Sequence, residues 1–251
     1  MHITAIRRFL ADHPEVESDN LYTSQINRQI VKPETTGTGR PYINLYDNIS
    51  DADSGKPFVA PATVYISHAW RYSFCEVVVD VMEQHAKDNP DSYFWFDLFT
   101  NDQNSLAAKE LRDDFFKIFM FTLKEIGELL LILSPWNDPI PLKSAWCLVD
   151  VSHVLRNPDI KLNIKLPQLE VERMAADLIQ DKSSLVQALS DIQAEKAVTM
   201  REEDKAQIFG FIEKYEGGFA ALNQRVNGGL REGYVKQFKQ LMAESHIMQK
   251  L

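Results

Sequence analysis

Three short apolar runs, each followed by a polar turn and an amphipathic stretch, restrict the folds open to this chain more than any other feature. They are "ATVYIS" (62–67), "SYFWFDLF" (92–99) and "LLLILS" (129–134). Each has the length of a strand and is too short for a buried helix. After the first, "FCEVVVDVMEQHAKDN" repeats Phe74, Val77, Val78, Val81, Met82 and His85 at helical spacing and stops at Asn89-Pro90. After the second, 106–128 carries Leu111, Phe115, Ile118, Phe119, Thr122 and Ile126 as one stripe. "AWCLVDVSHVLR" (145–156) reads as a third helix and "IKLNIKL" (160–166) as an alternating strand at a sheet edge. Continuous apolar strands alternating with helices predict a doubly wound parallel α/β sheet, covered on both faces.

The flanks read differently. Residues 1–16 form an amphipathic helix with Ile3, Ile6, Phe9 and Leu10 on one face, and 17–60 are rich in turn formers with little periodicity. We therefore expect an irregular N-terminal extension over 1–60, partly mobile, ahead of an α/β domain at 61–167. Beyond Pro167 the pattern is helical almost throughout, broken at Gly217-Gly218 and Gly228-Gly229, with Thr199 as an N-cap. That stretch, 168–251, is expected to be an all-helical C-terminal extension packed on the sheet domain. Among 251 residues, 45% are hydrophobic, enough for a core without staples. The net charge of −9 argues against general nucleic-acid binding, which needs a basic footprint. Cys75 and Cys147 lie in apolar surroundings and suit a reducing compartment. With no apolar run long enough to span a bilayer and no secretory leader pattern, the cytoplasm is the expected location.

In a parallel sheet, ligands bind beyond the carboxyl ends of the strands. The first strand delivers Ser67, His68, Trp70 and Arg71 there, the second Asp97 and Thr100, the third Ser134, Pro135, Trp136 and Asp138. The following helix presents Trp146, Cys147 and Asp150 near its start. No glycine-rich phosphate loop occurs, so a bound nucleotide would be held by aromatics and polar side chains. No His/Cys/Asp set has metal-ligand spacing, and no metal is expected. Each residue also has a plain reading. His68 shapes its loop, Trp146 packs against the sheet, and Cys147 is a small buried hydrophobe. Asp150 complements a helix dipole. The sharper reading of Asp150 is a carboxylate that binds a ribose hydroxyl or steadies a cation developing on a sugar, as in glycoside cleavage.

Taken in order, "VYISHAWRYSF", "YFWFDLFTNDQ" and "LLLILSPWNDPIPLKSAWCLVDV" resemble the signature segments of Toll/interleukin-1 receptor-like (TIR) domains, in a divergent microbial branch with the "SHAW" form. The resemblance spans about residues 60 to 235. It implies a flavodoxin-like sheet and one of two activities. Some TIR domains cleave NAD+ into nicotinamide and ADP-ribose or its cyclic isomers, as immune or cell-death signals; others only self-associate. In the enzymes a glutamate follows Trp-Cys-Leu-x, and this chain has Asp150 there, shorter by one methylene. The resemblance therefore implies Asp150 as the catalytic carboxylate, NAD+ as substrate with no other cofactor, and oligomerisation or a partner as trigger. Ser67, His68, Trp70, Arg71, Asp97, Ser134, Trp136 and Trp146 would line the nucleotide pocket, "VYISHAWRYSF" forming one wall and "SAWCLVD" the other. The alternatives are an assembly module acting through 101–105, 137–144 and the 145–156 helix, or a nucleotide sensor that does not cleave.

Overall fold

The computed structural model describes residues 1–105, 109–181, 183, 193–199, 202–215 and 217–244. Four strands, β1 (Val64–Ser67), β2 (Phe94–Trp95), β3 (Glu128–Ile132) and β4 (Lys161–Lys165), form one parallel sheet in the order β2-β1-β3-β4. In the β1–β2 pair Val64 lies opposite Phe94 and Tyr65 opposite Trp95. The expectation of an α/β fold with a parallel sheet holds, and the strand order is compatible with a flavodoxin-like sheet. The chain divides into two compact units, Met1–Ile66 with Trp70–Leu129, and Ser67–Ala69 with Leu130–Leu251. Among the described residues no helix is long and apolar enough to cross a membrane.

In the first unit, α1 (Ile3–Asp12) buries Ile3, Ala5, Ile6 and Phe9. Phe9 meets Tyr42, Phe74 and Phe99 edge-on at 5.7, 6.0 and 4.9 Å, a geometry that suits the ring quadrupoles. Just before α1, the chain runs antiparallel to β2. The Met1 amino group donates to Phe94 O and the Phe94 N–H to Met1 O, both at 2.8 Å, and the His2 N–H donates to Phe58 O at 2.8 Å. Residues 1–2 thus cover an outer strand edge that would otherwise expose unpaired backbone groups. Beyond α1, the segment expected to be irregular contains short helical elements (Glu15–Ser18, Thr23–Ile26, Lys32–Thr35, Tyr42–Tyr46). Its backbone ties to the loop after β1 through Ser24 N–H to Trp70 O (3.0 Å), Thr23 N–H to Tyr72 O (3.2 Å) and Phe74 N–H to Leu21 O (2.9 Å). Turn-forming residues leave no periodicity to read, yet their hydrogen bonds order a chain as well as a helix does.

The helix expected after β1 is present as a π turn, Phe74–Val79, leading into α2 (Asp80–Asp88). Phe74, Val78, Val81, Met82 and His85 are buried, and Val77 is half-buried. β2 is shorter than the apolar run that predicts it, because Asp97–Thr100 turn helical and the Thr100 hydroxyl bonds Phe96 O at 2.9 Å. In α3 (Lys109–Ile126) the expected stripe holds at Phe119, with Thr122 and Ile126 half-buried, and fails at Ile118. Phe119 and Leu123, one helical turn apart, face inward, while Ile118 and Phe121 are 58% and 64% exposed. The side chains of Leu111 and Phe115 lie outside the described residues.

In the second unit, α4 (Ala145–Arg156) begins and ends where the sequence places it and buries most of its length. It is followed by α5 (Gln168–Gln180), α6 (Glu202–Tyr215) and α7 (Gly218–Glu244). Gly217 and Gly218 do break the helical run, with φ of 78° and 81°. Gly228-Gly229 do not, since α7 runs through them. The structure gives Gly229 another use. A Cβ there would meet Leu155 Cδ2 at 2.7 Å, and one on Gly233 would meet Ile164 Cδ1 at 2.4 Å. These two glycines, four apart and so on one face, form the notch that lets α7 approach α4 and β4 closely.

Candidate functional site

The called residues fall into two groups, each inside one unit. In the second unit Ser67, the last residue of β1, donates its hydroxyl to Asp150 Oδ2 at 2.7 Å. Ser67 is 3% and Asp150 4% exposed. Ser67 ends a strand of four buried residues, and the second turn of α4 delivers the acid. His68 is also buried, and burial alone lowers its pKa to about 3, so the imidazole is neutral. The Cys147 thiol donates to His68 O at 3.5 Å. Cys147 is buried and takes part in no disulfide, in line with its apolar surroundings in sequence. Ser67, His68, Cys147 and Asp150 thus do come together. Trp146 and Ser134 are half-buried.

Trp136 was expected to wall a nucleotide, but it is 2% exposed and each of its polar groups is engaged. Its N–H donates to Glu170 Oε2 at 2.7 Å, its indole Nε1–H to Asp177 Oδ2 at 2.9 Å, and its carbonyl accepts the Tyr234 hydroxyl at 2.8 Å. Glu170 is buried and balanced by Arg173, whose Nη1 lies 2.6 Å from Oε1. Reading the sequence missed Glu170, Asp177 and Tyr234. Glu170 and Asp177 stand seven apart in a helix whose buried residues are Val171 and Met174. Two acids on an inward face were the available signal.

In the first unit the Trp70 indole N–H donates to Asp97 Oδ2 at 2.7 Å. Asp97 as a residue keeps some exposure, but its Oδ1 is sealed and has no hydrogen bond of normal geometry. Desolvation raises its pKa to about 6, against the pull of the Trp70 N–H and the Leu98 amide. Gln103 Nε2 fixes the same turn through Asp97 O and Leu98 O, at 2.7 and 3.2 Å. Arg71 is exposed. A groove of about 550 Å³ between α1, the 54–56 turn and α2 has most of its polar groups already committed. Arg7 pairs with Glu83 at 2.5 Å, Lys56 with Asp91 at 2.7 Å, and His2 bonds Thr4 and Pro90.

Compared with protein-family models, with curated proteins and with solved structures, the chain matches none. The fold and these two buried groups are what any account of function has to use.

Proposed function

We propose that the chain is a TIR-like α/β signalling module that, in the conformation described, works by assembly rather than by chemistry. The observation that carries this reading is the burial of Asp150, 4% exposed, with Oδ2 taken by the Ser67 hydroxyl at 2.7 Å. A nucleotide reaches that carboxylate only if α4 or its neighbours move. Buried carboxylates with a fixed donor are structural elements in many folds, and removing one partner leaves the other unsatisfied. Of the surfaces expected to assemble, α4 is largely buried, which leaves the loops. Asn104 in one, and Asn137, Asp138 and Lys143 in the other, are exposed. The resemblance further suggests a cytoplasmic module switched by self-association or by a partner. The test is solution mass against concentration. Mass that rises with concentration, and falls back in Lys143→Glu, supports assembly; a strict monomer at every concentration refutes it.

A second reading, cleavage of NAD+ at the N-glycosidic bond, is favoured by one observation: Ser67, His68 and Asp150, all called from sequence, meet at one strand tip. Asp150 would steady the positive charge on the ribose as neutral nicotinamide leaves. Water then adds to the anomeric carbon and loses a proton, giving ADP-ribose. Nicotinamide release by concentrated protein that vanishes in Asp150→Ala establishes this reading; no release at any concentration removes it.

A further inference from the structure

We infer that α5 and α7 form a clamp that fixes the β3–α4 loop and α4, so that release of this helical region is the event that changes the state of Asp150. The geometry lies entirely in the second unit. Trp136 sits in the loop that leads from β3 to α4, and its three polar groups are held by two helices. Glu170 and Asp177 of α5 take the backbone and indole N–H groups, and Tyr234 of α7 donates to the carbonyl. On α4 itself, Arg225 of α7 donates to the hydroxyl of Ser152, a fully buried residue two positions after Asp150, at 2.7 Å. One and two turns further along α7, Gly229 and Gly233 take Leu155 of α4 and Ile164 of β4 into the notch.

At 2% exposure, Trp136 must find partners for its indole N–H and for its backbone N–H and C=O alike. Here the N–H and C=O of residue 136 are both satisfied by side chains from elements at least 34 residues away. The loop is therefore held at residue 136 from the C-terminal region, in addition to its own turn bonds such as Ile140 N–H to Ser134 O at 3.1 Å. With α4 held at Ser152 and Leu155, Asp150 cannot leave Ser67 without breaking this set. The clamp stands independently of whether the module assembles or cleaves NAD+.

The test is hydrogen exchange on the full chain in Tyr234→Phe and Asp177→Leu, each of which removes one bond and leaves a side chain of nearly the same size. We expect exchange over 134–150 to quicken on the order of tenfold, with 64–100 unchanged. Adding Asp177→Leu to a Trp136→Phe background should produce no further change, because the indole donor is already gone. Unchanged exchange over 134–150, or equal acceleration over 64–100, overturns the clamp: in the first case the bonds do not hold the loop, and in the second the helices only stabilise the chain at large. Absence of NAD+ turnover in these variants bears on the proposed chemistry and leaves the exchange result intact.

Discussion

The two ends of the chain are built into their units by different physics. The N-terminal end is held by main chain: residues 1–2 extend along β2, and residues 21–24 bond the backbone of 70–74. The C-terminal end is held by side chains and by their absence, through Tyr234 and Arg225 on one hand and the Gly229 and Gly233 notch on the other. Main-chain docking tolerates changes of side chain and fails when an N–H is lost. Notched packing has the reverse sensitivity, since backbone hydrogen bonds stay inside the helix while one added methyl is felt. A region without periodicity can thus be fully ordered, and a glycine pair inside a helix can be a contact instead of a break.

The largest expected effect tests whether a side chain outweighs main chain in the first unit. The folded-state pKa of Asp97, about 6, exceeds its ordinary 3.8. The folded chain therefore holds that proton more tightly than the unfolded chain. Stability from this group rises as pH falls from above 6 toward 3.8 and is level outside that window. At about 1.4 kcal/mol per pKa unit the charged form costs about 3 kcal/mol at neutral pH. Asp97→Asn, which still accepts from Trp70, should stabilise the protein by up to that amount and flatten the pH dependence of denaturant midpoints. Destabilisation at pH 7 would show that the charge itself is needed.

Next in size are the glycines of α7. Gly233→Ala should destabilise by about 1–3 kcal/mol through overpacking on Ile164. Gly228→Ala, with nothing near its Cβ, should stabilise by about 0.5–1 kcal/mol through helix propensity. Opposite signs in thermal melts are the expected outcome, and equal signs would erase the notch. At the other end, His2 has φ of −75°, which proline accepts. His2→Pro, beyond the effect of His2→Ala, deletes only the N–H to Phe58 O and should cost a further 1 kcal/mol or so. The smallest effect is expected at α3, where Phe121→Ser should change stability by less than about 0.5 kcal/mol, because that ring is exposed.

What could be read from sequence followed from periodicity. The strands' apolar runs, the span of α4 and the meeting of Ser67 with Asp150 all rest on alternation of elements and on where strand tips must gather. Three things were not legible. The order of residues 17–60 comes from backbone bonds that turn formers do not advertise. On α3 the expected stripe took in both Ile118 and Phe119, and only Phe119 is buried, since two adjacent apolar residues on a helix point about 100° apart. Trp136 lay at the right strand tip, but its partners Glu170 and Tyr234 are 34 and 98 residues away, and only the fold brings them to it. The direction in which a tryptophan points is not written in its neighbours.

The central claim is that Asp150 is a buried partner of Ser67, and a double-mutant cycle with Ser67→Ala and Asp150→Ala in denaturant melts tests it most directly. The account predicts that each single change costs about 1–3 kcal/mol, that the pair couples by more than about 0.5 kcal/mol, and that no nicotinamide is released from NAD+ by any of the four proteins. Uncoupled, near-neutral stabilities together with nicotinamide release that Asp150→Ala abolishes would contradict it, and would make Asp150 a solvent-facing catalytic group.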